Sequence, residues 1–234
     1  MNILIFLLGF LPGFAWLFFY LQEDLHPEPK RLIAKTFLFG ASFAFLALFF
    51  QIFVDCSLVR GPVLCRNEYS GSVTTAPLFL IIFALIEEVL KFLAAYFAVH
   101  KNSAFNEPVD AMIYTIVAAM GFATIENLGA LSSGLEQGVG ILSSSLELIS
   151  LRFIGATLLH SVTAGIIGYY WAISIRDFNT KRFVVEGIIV ATIVHALFNY
   201  FILNYETIIA PILLVTLAGF FILNDFEKLK VRGV

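Results

Sequence analysis

Glu87, Glu88 and Lys91, and then Glu126, Arg152, His160 and His195, interrupt stretches of this chain that are otherwise almost wholly apolar. A carboxylate beside an imidazole can hold a water molecule and take its proton. A second imidazole, or a carboxamide such as Asn199, can donate to the oxyanion that forms when that water attacks a carbonyl. Such a set is suited to hydrolysing an amide bond away from bulk water. Two histidines and one or two glutamates also suit Zn²⁺ with a position left for water, and Glu126, His160 and His195 are the candidate ligands. The usual His-Glu-x-x-His zinc-protease motif is absent. On the residues alone, zinc chemistry and metal-free glutamate/histidine chemistry both stay open.

Spacing sharpens the point. At about 100° per residue, Glu87 and Glu88 lie about 40° and 60° from Lys91, so all three share one arc of a helix. Lys91 can neutralise one carboxylate, which leaves the other to act as base. Glu126 follows Phe122 by four residues and has Asn127 beside it. His195 precedes Asn199 by four, so one face presents imidazole and carboxamide together. Each charge costs about 2.5–3.5 kcal/mol at the centre of a membrane helix, less off-centre. A lone Glu–Lys pair commonly braces a helix, and a lone histidine commonly bonds between helices. Three acids and two histidines on neighbouring spans exceed what bracing needs. Arg152 reads as a boundary residue whose head snorkels, and Asp110, just after Pro108, as a helix cap or first-turn acid.

The elements that must position these groups are membrane helices. Of 234 residues, 60% are apolar and 13% charged, against roughly 45–50% and 25% in soluble domains. That balance excludes a soluble enzyme, and a net charge of −3 gives no reason to expect a nucleic-acid partner. Apolar runs at about 3–21, 32–54, 76–99, 109–131, 148–175, 183–203 and 207–223 are each long enough to cross ~30 Å of hydrocarbon. The expected fold is an all-α polytopic bundle of about seven transmembrane helices. It forms one domain over residues 1–234, with the catalytic spans at about 76–203. Ten basic residues follow the odd-numbered spans and two, Arg60 and Arg66, follow the even ones. The positive-inside rule then puts the N-terminus outside and the C-terminus in the cytoplasm. Cys56 and Cys65 fall in an outside loop, where an oxidising compartment favours a disulfide.

In order and spacing, Glu87-Glu88-Val89-Leu90-Lys91, Phe122 to Asn127, His160 and His195-Ala196-Leu197-Phe198-Asn199 resemble the motif series of the PrsW intramembrane proteases. Two further stretches match the pattern: Pro12-Gly13-Phe14 to Lys30, and Asp110 to Tyr114 running into Gly121-Phe122. The likeness spans about residues 10 to 203. It implies a multi-pass peptidase of a bacterial or archaeal plasma membrane. The family is often labelled metalloprotease, and it is linked to extracytoplasmic cleavage of membrane-anchored anti-sigma factors in stress responses. By the same likeness Glu87, Glu88, Glu126, His160 and His195 match the family's proposed catalytic positions. Asn199 matches by analogy with the distantly similar CAAX prenyl proteases. Lys91, Phe122 and Asn127 support them. The expected partners are a membrane-anchored protein substrate and the lipid bilayer. The alternative from the residues is a proton- or cation-coupled transporter using the acid/histidine chain as a relay. It would call for broken helices and internal repeats, which the sequence does not display.

Overall fold

The computed structural model describes residues 3–60, 76–136, 141–176, 181–205 and 207–231. Its helices are α1 (Ile3–Leu21), α2 (Lys30–Val54), α3 (Pro77–Val99), α4 (Pro108–Glu136), α5 (Ile141–Arg152), α6 (Leu158–Arg176), α7 (Lys181–Asn204) and α8 (Ile209–Val231). A π-helical turn, Phe153–Thr157, joins α5 to α6 in one continuous rod. With that rod counted once, seven helical rods stand among the described residues, one at each apolar run. The described residues contain no strand. Proline marks several starts: Pro29 immediately precedes α2, Pro77 opens α3 and Pro108 opens α4. At these positions the missing N–H costs nothing. Cys65 lies outside the described residues, and the Cys56–Cys65 pairing falls there with it.

Five rods are long and apolar enough to cross a membrane: Lys30–Leu58, Pro108–Ser133, Ser145–Ile175, Arg182–Asn204 and Ile209–Leu229. The apolar part of α1 is shorter, Ile5–Leu21. The apolar run of α3 is broken by Glu87, Glu88 and Lys91. This is a membrane helical bundle, and α4 is its axis. Some 89% of the apolar window of α4 is buried, against 17% for α2 and 22% for α8. Helices α1, α2, α3 and α6 pack around α4, so most of its length faces protein while α2 and α8 turn phenylalanine and leucine to lipid.

The α2–α4 crossing is a backbone contact. A Cβ on Gly40 would lie 1.9 Å from the Ala118 carbonyl oxygen, and one on Gly121 would lie 2.0 Å from that of Phe37. Lipid tails are as apolar as leucine, so membrane helices associate by close packing, and small residues permit it. This contact fixes α4 against α2 just before Phe122 and Glu126.

Candidate active site

The polar centre starts from α3. Glu87 and Glu88 are adjacent and so look to different neighbours, about 100° apart. Glu88 is fully buried and Lys91 is 1% exposed. The Lys91 Nζ donates to Glu88 Oε1 at 2.6 Å, to Thr163 Oγ1 at 3.2 Å and to His160 Nδ1 at 3.1 Å. Each of its three N–H groups thus has an acceptor. Accepting from lysine makes Nδ1 the bare nitrogen of His160, so Nε2 carries the proton and donates to Glu126 Oε2 at 2.8 Å. The second imidazole approaches from α7: His195 Nδ1 donates to Glu88 Oε1 at 2.6 Å. A neutral His195 then has its lone pair on Nε2, 3.6 Å from Glu87 Oε2. The two rings stand edge to face, 5.4 Å apart.

Glu87 turns the other way, toward α2, where Gln51 Nε2 donates to its Oε1 at 2.7 Å. Its Oε2 is buried without a partner, as is Glu88 Oε2. One donor atom from each of Glu87, His160 and His195 lies within 4.8 Å of the others. A bare carboxylate oxygen with two imidazole nitrogens is a donor set for Zn²⁺ once Lys91 releases the lone pair of His160 Nδ1. The backing of both rings by carboxylates, His195 by Glu88 and His160 by Glu126, is the usual support for metal-ligating histidine. The three-residue set contains Glu87, whereas the sequence had offered Glu126 for that place. Glu126 holds the far nitrogen of His160.

The π-helical turn has a positional effect. In a regular helix Arg152 and His160, eight residues apart, would diverge by about 80°. An extra residue in one turn takes back on the order of 100°, and both then reach one carboxylate. Arg152 Nη2 lies 3.4 Å from Glu126 Oε2, and its Nε donates to Asn127 Oδ1 at 2.6 Å. Trp16 Nε1 donates to the Phe153 carbonyl in the same turn, at 2.9 Å. Asn127, fully buried, passes its own amide to Thr157 Oγ1 at 3.2 Å and the Gly9 carbonyl at 3.5 Å. It therefore ties α1, α4 and the turn together. The Phe122 ring centre is 5.8 Å from that of His160 and 6.0 Å from Lys91 Nζ.

Glu87, Glu88, Lys91, Glu126, Asn127, His160 and His195 thus form one connected cluster, walled by Phe122. Asn199 is half-buried, and among the described residues no hydrogen bond joins it to that cluster. The sequence reading did not single out Gln51 or Thr163, and it sent Arg152 to the membrane surface. The available signals were a carboxamide within an apolar run for Gln51 and a hydroxyl three residues after a candidate histidine for Thr163.

Comparison with known proteins identifies the family. Residues 28–224 match the model of the PrsW family intramembrane metalloprotease. Protease PrsW of Geobacillus kaustophilus is 26% identical over 201 residues, covering 85% of this chain and 79% of that protein. Protease PrsW of Clostridioides difficile is 26% identical over 219 residues, 92% of this chain and 85% of that protein. Protease PrsW of Bacillus subtilis is 24% identical over 163 residues, 69% of this chain and 65% of that protein. No solved structure matches this chain. The polytopic bundle, the buried glutamate/histidine cluster and the match over most of the length lead to one conclusion: the chain belongs to the PrsW family of intramembrane metalloproteases and is by family an intramembrane peptidase.

Proposed function

We propose that the chain is an endoprotease that cuts membrane-anchored proteins within a bacterial or archaeal plasma membrane, with Glu87 as the base that activates water. The observation behind the choice of Glu87 is its bare, buried Oε2, 3.6 Å from His195 Nε2, while Glu88 Oε1 is held by Lys91 and His195. Water bridging Glu87 Oε2 and His195 Nε2 gives its proton to Glu87 as its oxygen bonds to the scissile carbonyl carbon. Glu87 then returns the proton to the departing amine as the C–N bond breaks. Glu88 and Lys91 are positioning residues that fix the His195 and His160 rings. Asn199, one helical turn from His195 on α7, is assigned to the oxyanion. Zn²⁺ held by Glu87, His160 and His195 would supply Lewis-acid polarisation and a more acidic water. Anti-sigma factors are the proposed substrate class, with the N-terminus outside and the C-terminus in the cytoplasm.

The test uses a single-span membrane protein, tagged at both ends, that the wild-type chain cleaves. Glu87→Gln keeps the shape and the Gln51 neighbour but removes the base. Cleavage falls by about 10²–10⁴-fold at unchanged folded yield. Cleavage at the wild-type rate would overturn the assignment. Metal content of the purified protein, measured with activity before and after chelation, separates the two chemistries. About one zinc per chain, with activity lost on its removal, marks the metal route. Full activity in metal-free protein marks the other.

A further inference from the structure

Between α2 and α4 runs a groove of about 460 Å³, within the ~300–1,000 Å³ span of ordinary binding pockets. Its walls are apolar and include Phe45 and Leu48, which are 61% and 49% exposed. Three of its four polar residues, Gln51, Glu126 and Arg152, touch the cluster described above: Gln51 bonds Glu87, Glu126 bonds His160, and Arg152 pairs with Glu126, while Ser132 bonds the Leu128 carbonyl of its own helix. The groove therefore joins the membrane-facing surface to the reacting residues.

Gly129 stands on the groove wall. A Cβ there meets nothing within 4 Å, whereas a Cβ on Gly9, Gly13, Gly40, Gly121, Gly165 or Gly168 would lie within 3 Å of a neighbour. Glycine costs about 1 kcal/mol in a helix interior relative to alanine, and in membranes it serves close approach between backbones. At Gly129 no described residue makes that approach.

We propose that the α2/α4 groove receives the transmembrane segment of the substrate, with Gly129 at the point of closest approach, and leads its peptide groups to Gln51, Glu126 and Arg152. The proposal rests on the peptidase reading and adds to it a route and a docking surface. An acyl chain would use the apolar walls but has no group to exchange hydrogen bonds with Gln51, Glu126 and Arg152. A polypeptide has peptide N–H and C=O groups for all of them, and unwinding its helix there exposes them.

The experiment uses the full-length chain and the doubly tagged substrate. Gly129→Trp starts from a Cβ position clear of every described atom and puts its ring into the groove; at unchanged folded yield, cleavage falls about tenfold or more. Leu197→Trp, on the lipid-facing crevice between α3 and α7, leaves cleavage unchanged. In a Glu87→Gln background, a photo-crosslinking side chain at Phe45 captures the substrate and one at Leu197 does not. Wild-type cleavage by Gly129→Trp, or capture at Phe45 of lipid or of a second copy in place of substrate, overturns the proposal. Loss of cleavage in Glu87→Gln with full cleavage in Gly129→Trp removes the groove and leaves the peptidase reading standing. Full cleavage in Glu87→Gln strikes the catalytic assignment itself.

Discussion

Carboxylates are withdrawn from solvent in two regions, in one of them fully at Glu88 and partly at Glu126, and the two relieve the cost differently. In the membrane, Glu88 and Glu126 meet fixed cations: Lys91 lies 2.6 Å from the first and Arg152 3.4 Å from the second. Where the loop before α2 meets the start of α4, Glu28, Asp110 and Asp24 are all under a tenth exposed, and no such cation pairs with them among the described ion pairs. There Tyr114 donates its hydroxyl to Glu28. Asp110 Oδ2 accepts the backbone N–H groups of Asn106 and Glu107 at 2.9 and 2.8 Å, the first-turn role expected of it. Burial pushes the Glu28 carboxyl up to about 7, and the nearby Asp110 charge adds to the rise against the lowering effect of the tyrosine. The loop region is eased by a proton and hydrogen bonds, the membrane region by permanent charge. With Lys91 on Glu88 and Arg152 on Glu126, Glu87 is the acid of the three that no Lys or Arg pairs with among the described ion pairs, and its Oε2 lies 3.6 Å from His195 Nε2.

Removing the cation from the membrane region is expected to have the largest effect on folding. Lys91→Met strands Glu88 as a buried charge, and loss of one partner of a buried pair typically costs about 3–5 kcal/mol. Thermal unfolding in detergent should show a large drop in Tm, and an unchanged Tm would erase the contrast between the regions. Arg152→Met comes next. It frees Glu126 and Asn127 but spares the Lys91 network, so cleavage should fall about 10–100-fold, as for lost support of a site's outer residues, with a smaller drop in Tm. A fall in Tm equal to that of Lys91→Met would mean the turn is a scaffold. The smallest effect belongs to the loop region. Tyr114→Phe should cost about 1 kcal/mol and leave cleavage within about threefold of wild type.

The loop region also predicts a pH dependence of stability. The folded Glu28 holds its proton up to about pH 7, against an ordinary value of 4.5. Between those values the native state binds more protons than the unfolded chain, so stability falls as pH rises through this window. Its contribution is fully present below about pH 4.5 and gone above about 7. Glu28→Gln should flatten that slope in unfolding curves taken from pH 4.5 to 8. A slope unchanged by the substitution would assign it to another group.

The seven apolar runs were legible because lipid forces backbone groups to bond within a helix, and twenty apolar residues in a row have few other uses. Glu87, Glu88, Glu126, His160 and His195 were legible for the opposite reason: charge in such runs is conspicuous. What sequence could not convey is rotation and partner choice. The π-helical turn at Phe153–Thr157 swings Arg152 onto Glu126, and no feature of Phe-Ile-Gly-Ala-Thr states that an extra residue will be held there. Nor does spacing say which carboxylate Lys91 takes. Glu87 is nearer by helical angle, yet Gln51 on α2 draws Glu87 aside and the lysine bonds Glu88. Both outcomes depend on neighbouring helices far away in the chain.

The bare contact of Gly40 with Ala118 and of Gly121 with Phe37 bears on how α2 and α4 can move. The two helices run in the same direction, touch at this level and part further along, where Ala44 to Gln51 face Phe122 to Ser132 across the groove. Opened like tongs, they would have this crossing as their fulcrum. Widening the jaws would turn about smooth backbone and need not unlock meshed side chains at the pivot. A bulky residue at Gly40 would wedge the joint and set the jaws at a fixed gape, even with every reacting group intact.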